Sequence, residues 1–440
     1  MSTHVNTSAA MPAPPSFLRR HWMWFALLVI MLAVPFLFYD WSRGRHSGFA
    51  LTLMSEMALM AVFALSYNML MGQAGLLSFG HAILFGIGAY FTAHSLNFIK
   101  ANDILWIPTE LIPLAGGVGG IVCGVIAGYV ATQQRATAFA MITMGIGELL
   151  TAAALMFMTF FGGEGGITTD RVIGSSIFGV AYTSAWQVYC LLVFWSLLAA
   201  ILMHLQTQTP LGRIANATRD NYERTQFVGY DPRVVRYWQF IIAGFFAGIA
   251  GGLYTLVYEI VTFDTLAAVK SANALLAAYI GGAGGFFGPV LGAVVVVGLQ
   301  SGISLYTSAW LLYLGVLFIV MVMYAPGGLI GIVAAHTPIV RMGRLRELTV
   351  PYLRALTPAL VLSAGFVTFV ELATHRTIGA AQGKKLALFG LPVDSASLMP
   401  WVISIALAIA GAIWIRAESR VFALRWNALI EDAKARGIVA

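Results

Sequence analysis

The chain has 440 residues, of which 59% are hydrophobic and 10% charged, with a net charge of +7. Soluble domains carry about 25% charged residues, so a chain this poor in charge cannot cover itself in water, and a water-soluble globular protein is excluded. The basic residues lie between apolar runs rather than on one polar face, which argues for membrane topology and against a nucleic-acid partner.

Residues 1–21 hold Pro12, Pro14 and Pro15 and end in Arg19-Arg20-His21, a composition that predicts a disordered cytoplasmic tail. The apolar run 22–39 follows directly. Asp40-Trp41-Ser42-Arg43 offers no small-residue cleavage site, so the run reads as an uncleaved first transmembrane helix rather than a signal peptide. A spanning helix needs about 20 largely apolar residues. Such runs recur at 49–71, 76–98, 110–131, 137–161 and 186–205. After a polar stretch at 206–237 they resume at 238–258, 268–284, 286–304 and 309–332, and then at 355–373 and 399–416. The run 268–304 is split into two short crossings at its glycines. Arg213, Arg219, Arg224, Arg233 and Arg236 place 206–237 in the cytoplasm, and Arg341, Arg344, Arg346 and Arg354 place 333–354 there too. The prediction is an all-α, polytopic helical membrane protein, with about 10 spans in a core over 22–335 and two more in an extension over 336–440. Phe422, Trp426, Leu429, Ile430 and Ala433 then recur at helical spacing, which predicts an amphipathic tail helix on the inner membrane surface or on a partner.

Glycine patterns divide into two kinds. Gly120, Gly124 and Gly128 repeat every four residues, as do Gly244, Gly248 and Gly252, a spacing that predicts close helix–helix packing. Two clusters differ: Gly72-Gln73-Ala74-Gly75 followed by Ser78-Phe79-Gly80-His81, and Gly281-Gly282-Ala283-Gly284 followed by Phe286-Phe287-Gly288-Pro289. They fall in different halves of the chain and align with a one-residue offset. Paired glycine-broken membrane segments point to a transporter's substrate path. The candidate path residues are Asn68, Gly72, Gly75, Ser78, Gly80, His81, Gly282, Gly284 and Gly285.

Charge at membrane depth usually faces the protein interior. Glu56, His81 and Glu148 are the deepest candidates. His81 reads either as a polar contact near the path or as a neutral imidazole bonded to a neighbouring carbonyl. Glu148 and Glu56 read as packing carboxyls held by interhelical hydrogen bonds. Cys123 and Cys190 are isolated in apolar runs, which points to packing rather than to a disulfide or zinc. No nucleophile, zinc or phosphate-loop motif occurs, so the chain reads as a non-enzyme without cofactor, and any ATP hydrolysis belongs to another subunit.

The polar stretch suits a helix over 213–228 ended by Gly229. At this point the sequence resembles the branched-chain amino-acid ABC permease family, in particular its LivM-type subunit. The matching blocks are Leu65-Ser66-Tyr67-Asn68-Met69-Leu70-Met71-Gly72-Gln73-Ala74-Gly75 with Ser78-Phe79-Gly80-His81-Ala82, then 211–254, then 281–293 with Ala325-Pro326-Gly327-Gly328-Leu329. The resemblance implies a LivH-like permease partner, two cytoplasmic ATP-binding subunits, a periplasmic solute-binding protein and residence in the bacterial inner membrane, in contact with lipid. It also implies that 212–229 is the coupling helix, with Gly212, Arg213, Arg219, Asp220, Glu223, Arg224 and Gly229 facing the ATPase. Thr225-Gln226-Phe227 departs from the small residues usual before that glycine, and 349–440 goes beyond the usual end. Branched-chain amino acids are the implied solute; urea, short amides or aromatic acids, or an ion-coupled secondary transporter, are the alternatives.

Overall fold

A computed structural model describes residues 17–40, 45–104, 107–134, 136–172, 176–177, 179–377, 385–388 and 391–438. The tail expected over 1–21 lies mostly outside them, and its last residues already belong to the first helix. The helices are α1 (Phe17–Ala33), α2 (Gly48–Asn68), α3 (Ala82–Ala101), α4 (Pro113–Ala131), α5 (Ala136–Met156), α6 (Met158–Phe161), α7 (Ala185–Gln208) and α8 (Pro210–Asp220). They continue as α9 (Tyr222–Phe227), α10 (Pro232–Tyr258), α11 (Ala268–Gly281), α12 (Gly288–Val297), α13 (Trp310–Tyr324), α14 (Gly328–Arg341), α15 (Thr349–Thr377) and α16 (Leu398–Ala435). Among the described residues, nine helices are long and apolar enough to cross a membrane, and α13 with α14 forms a further span bent by 42°. α1 and the 14-residue α11, expected to be crossings, are too short to be counted among them. At 1.5 Å per residue α11 is about 21 Å long, less than the bilayer's hydrocarbon core of about 30 Å.

The core is built on the small-residue seams expected from the four-residue glycine spacing. A Cβ on Gly120 would collide with the Gly244 carbonyl, and one on Gly248 with the Gly116 carbonyl, so α4 and α10 touch backbone to backbone. Gly88 of α3 meets Gly248 in the same seam. Without a hydrophobic force between helices in lipid, such close approach is what holds a membrane core together. Phe63, Tyr67, Phe85 and Phe240 fill the space beside the seam and are fully buried. At the far end of α10, Ile167 pairs with Val261 in a short antiparallel ribbon that closes that end. Arg171 fixes the same region, donating to the Tyr182 carbonyl at 3.0 Å and pairing with Glu259 at 3.4 Å. Burial and the adjacent Glu110 carboxylate push the Tyr182 phenol up to about 12.

Several expected elements differ. The helix over 213–228 is two helices, because Asn221 is extended and its side chain accepts from the Arg224 N–H at 2.9 Å, capping α9. The run 309–332 breaks between α13 and α14, where Pro326 and Gly327 cannot continue the helix. Residue 335, the expected core boundary, therefore falls inside α14. The amphipathic tail is no separate helix but the end of the 38-residue α16, and its apolar face is covered by this chain: Leu429, Ile339 and Leu348 form a buried cluster with Phe422, Trp426 and Ile430 packed on it.

Candidate functional site

The α7 end and the α10 start flank the polar stretch and define one end of the bundle. The first glycine break lies there. α2 passes at Met69 into a π-turn that ends at Gln73, and α3 does not begin until Ala82. Gly75 takes a left-handed conformation (φ 67°) that reverses the chain. Ser78, Gly80 and His81 are buried in the connection. A Cβ on Gly80 would collide with the Thr143 carbonyl, so the break presses on α5. The His81 Nε2 lies 3.0 Å from Ser66 Oγ, which itself donates to the Phe63 carbonyl, and the ring stacks on Phe63. His81 is fully buried, with a hydroxyl rather than a carbonyl as the partner of Nε2, and its Nδ1 has no hydrogen-bond partner. Asn68 Oδ1 and Ser78 Oγ are buried without a hydrogen-bond partner.

The second break joins α11 to α12 at 282–287 and comes to the same place. A Cβ on Gly72 would lie 2.8 Å from the Ala283 carbonyl. Gly282 (φ 106°) is pressed against the Gly327 carbonyl at the α13–α14 bend, and Gly285 packs on Ile330. Gly284 is exposed with open space around it. The nine path candidates thus converge on one end of the bundle, with Gly72, Gly80 and Gly282 packed against neighbouring backbone.

The polar stretch 206–237 sits directly on these breaks. Arg219 of α8 donates from Nη1 to the Gly72 carbonyl, while its Cγ would be 2.8 Å from a Cβ on Gly75. Its Nε also bonds Asp220 at 3.0 Å. Arg213, Asp220, Glu223, Arg224 and Gly229 are exposed, and Gly212 is buried against the last turn of α7. Gly229 (φ 93°) closes α9, with its N–H on the Gln226 carbonyl at 2.9 Å and the Tyr230 N–H on the Thr225 carbonyl at 3.2 Å. Beside it Phe227 is 89% exposed, and Val228 and Tyr230 are exposed too. Beneath, Gln239 of α10 donates to the Met69 carbonyl and to Gln73 Oε1, both at 3.0 Å, and accepts from Gln206 of α7 at 2.8 Å.

Sequence reasoning missed two features. The Gln206–Gln239–Gln73 chain is invisible in one dimension because its members are 33 and 166 positions apart. Glu148 is a correction: it is held by no interhelical hydrogen bond but lies exposed on α5, on a face shared with Met141, Met144 and Leu149. Glu56 does have a partner, Ser301 Oγ at 2.6 Å. Among the described residues no group of three or more His, Cys, Asp or Glu could hold a metal ion.

Residues 49–325 match the family described as branched-chain amino acid transport system / permease component. The chain is similar to the high-affinity branched-chain amino acid transport system permease protein LivM of Escherichia coli, at 27% identity over 326 residues, covering 69% of this chain and 73% of that protein. It is also similar to the probable branched-chain amino acid transport permease protein LivM of Methanocaldococcus jannaschii, at 24% identity, covering 61% of this chain and 89% of that one. Similarity extends to the LivH permease protein of Salmonella typhimurium, at 23% identity, covering 56% and 82%. No solved structure matches. With its polar stretch, glycine breaks and apolar helices inside or beside the matched region, the chain belongs to the branched-chain amino acid transport system permease family.

Proposed function

We propose that this chain is the LivM-type permease subunit of a bacterial inner-membrane importer for branched-chain amino acids. It works beside a LivH-like permease, is driven by two cytoplasmic ATP-binding subunits, and receives solute from a periplasmic binding protein. The observation that supports this reading most directly is the bond from Arg219 to the Gly72 carbonyl. It ties an exposed polar helix to a glycine break in the spans, which is the connection a separate ATPase needs in order to move the path. Phe227 is the apolar anchor on the ATPase side, and the exposed charges of Arg213, Glu223 and Arg224 set its rim. ATPase closure displaces α8 and α9; Arg219 hands the displacement to 72–75, and contact with Ala283 and Thr143 spreads it to the second break and to α5.

The exposed face of α5 supports a permease partner. A carboxylate facing hydrocarbon at mid-span costs about 3 kcal/mol, so Glu148 faces the partner or a watery path between the two chains. The exposed apolar surfaces of α13 and α16 suit lipid instead. The core with the path ends with the α13–α14 pair, and α15 with α16 forms a separate hairpin, joined at Gly365 and Gly411, that docks on it. Co-purification from the native membrane tests the reading: a LivH-like chain and two ATPase chains are expected, and isolation as a transporting homo-oligomer overturns it.

A further inference from the structure

The end of the bundle away from the coupling stretch holds a group of charged and polar side chains that the coupling scheme does not use. Glu56 lies on α2, eight residues after its first residue Gly48 and so about 12 Å along the helix. Its Oε2 accepts from Ser301, which sits in a π-turn (Gly298–Gly302) at the end of α12. In the same turn Gln300 accepts from Asn273 of α11 at 3.2 Å. One turn before Asn273, the Lys270 ammonium lies over the Tyr254 ring of α10, 5.3 Å from its centre, and the Tyr258 ring lies tilted against Tyr254 at 4.6 Å. Four helices thus bring one carboxylate and one ammonium to the same place, both half-buried.

The two charges do not pair. Among the described residues no carboxylate lies within 4.0 Å of Lys270 and no basic group within 4.0 Å of Glu56. They are nevertheless neighbours through adjacent residues: Ser301, which holds Glu56, follows Gln300, and Gln300 is bonded to Asn273 one turn after Lys270. Opposite charges inside a membrane gain most by direct contact, because both are costly when alone. A fold built only for stability would close this gap. Here Glu56 is held by a hydroxyl and Lys270 by an aromatic face, each a weaker partner than the other charge.

We propose that this cluster is a transit site for the zwitterionic head of an α-amino acid, with the substrate ammonium against Glu56 and its carboxylate against Lys270. The inference rests on the importer reading above and names the part of the substrate this chain itself recognises. The solute completes the separated pair and lifts the cost of both charges while it is bound. The bond from Asn273 to Gln300 ties α11, which bears Lys270, to the turn whose Ser301 holds Glu56, and so fixes the separation of the two charges. Because the site lies at the end opposite Arg219, it receives solute before the glycine breaks do.

The test uses the full complex in proteoliposomes with its binding protein, reading L-leucine taken up and ATP hydrolysed. Glu56→Gln and Lys270→Gln are each expected to lower leucine moved per ATP by about tenfold, the equivalent of about 1.4 kcal/mol. Hydrolysis itself stays close to wild type, which a merely structural role would not leave intact. If leucine per ATP is unchanged in both variants, or falls only together with hydrolysis and assembly, the proposal is overturned. A second readout is independent of these substitutions: Ser301→Cys, with Cys123 and Cys190 replaced by Ala, is expected to react more slowly with a cationic thiol reagent when leucine is present. An unchanged rate counts against the site. Failure of the importer reading looks different, since the wild-type complex would then move no amino acid at all.

Discussion

Arg219 and Gly72 are 147 positions apart, yet the guanidinium of one donates to the carbonyl of the other. Gly72 lies in a π-turn, where the backbone leaves the regular helical ladder and a carbonyl is free to accept from outside. The contact therefore joins the polar stretch to the turn after α2, which can change shape without breaking a regular helix.

Replacing Arg219 with Ala is expected to uncouple the transporter. Uptake per ATP falls about tenfold while the ATPases remain bound, since a charge-assisted hydrogen bond is worth about 1.5–3 kcal/mol. Parallel assays of uptake and phosphate release on the purified complex check this. Arg219→Lys recovers little, because an ammonium cannot hold both Asp220 and the Gly72 carbonyl in the planar fork of Arg.

Phe227→Ala is expected to leave the permease folded and to weaken ATPase binding. A ring that is 89% exposed contributes little to this chain's own stability. At an interface centre such an anchor is worth about 2 kcal/mol. Retention of the ATPase on tagged permease, followed through washes of rising stringency, gives the answer, with an unchanged melting temperature of the permease alone as control.

Gly80→Val is expected to destabilise the core by about 1–3 kcal/mol through overpacking. The added side chain meets the Thr143 backbone of α5 rather than a flexible side chain. Gly284→Ala, at a position with open space, is expected to be neutral. Thermal unfolding in detergent separates the two.

Cysteine at 144 or 148 on α5 is expected to cross-link to the partner permease. Cysteine at 126 on α4 is not, although Ile126 is 68% exposed, because the surface around it, with Val122, Tyr129 and Val130, presents no charge to explain. Mass spectrometry of cross-linked membranes reads the difference.

Much of this fold was legible in the sequence, because span length and glycine spacing are local signals. Gly120 and Gly248 could be assigned to packing from a four-residue repeat, and Gly229 to a helix end from its neighbours. The split at Asn221 was not seen, since its capping side chain competes with a helical pattern that otherwise runs through it. The tail face of Phe422 and Trp426 was expected on the membrane surface or on a partner, and the packing of α14 and α15 shows instead that this chain covers it. For the candidate site, the two breaks were legible and their meeting was not. Contact between Gly72 and Ala283 depends on how α2 and α11 cross, and no pattern along the chain encodes that. Exposure of Glu148 was missed for the same reason.

The most direct test of the central claim is uptake of L-leucine into proteoliposomes holding this chain with its partner permease, ATPases and binding protein. An ATP-driven importer gives uptake that requires ATP and is indifferent to an ionophore. Uptake that continues without ATP and collapses when the ionophore is added would contradict it.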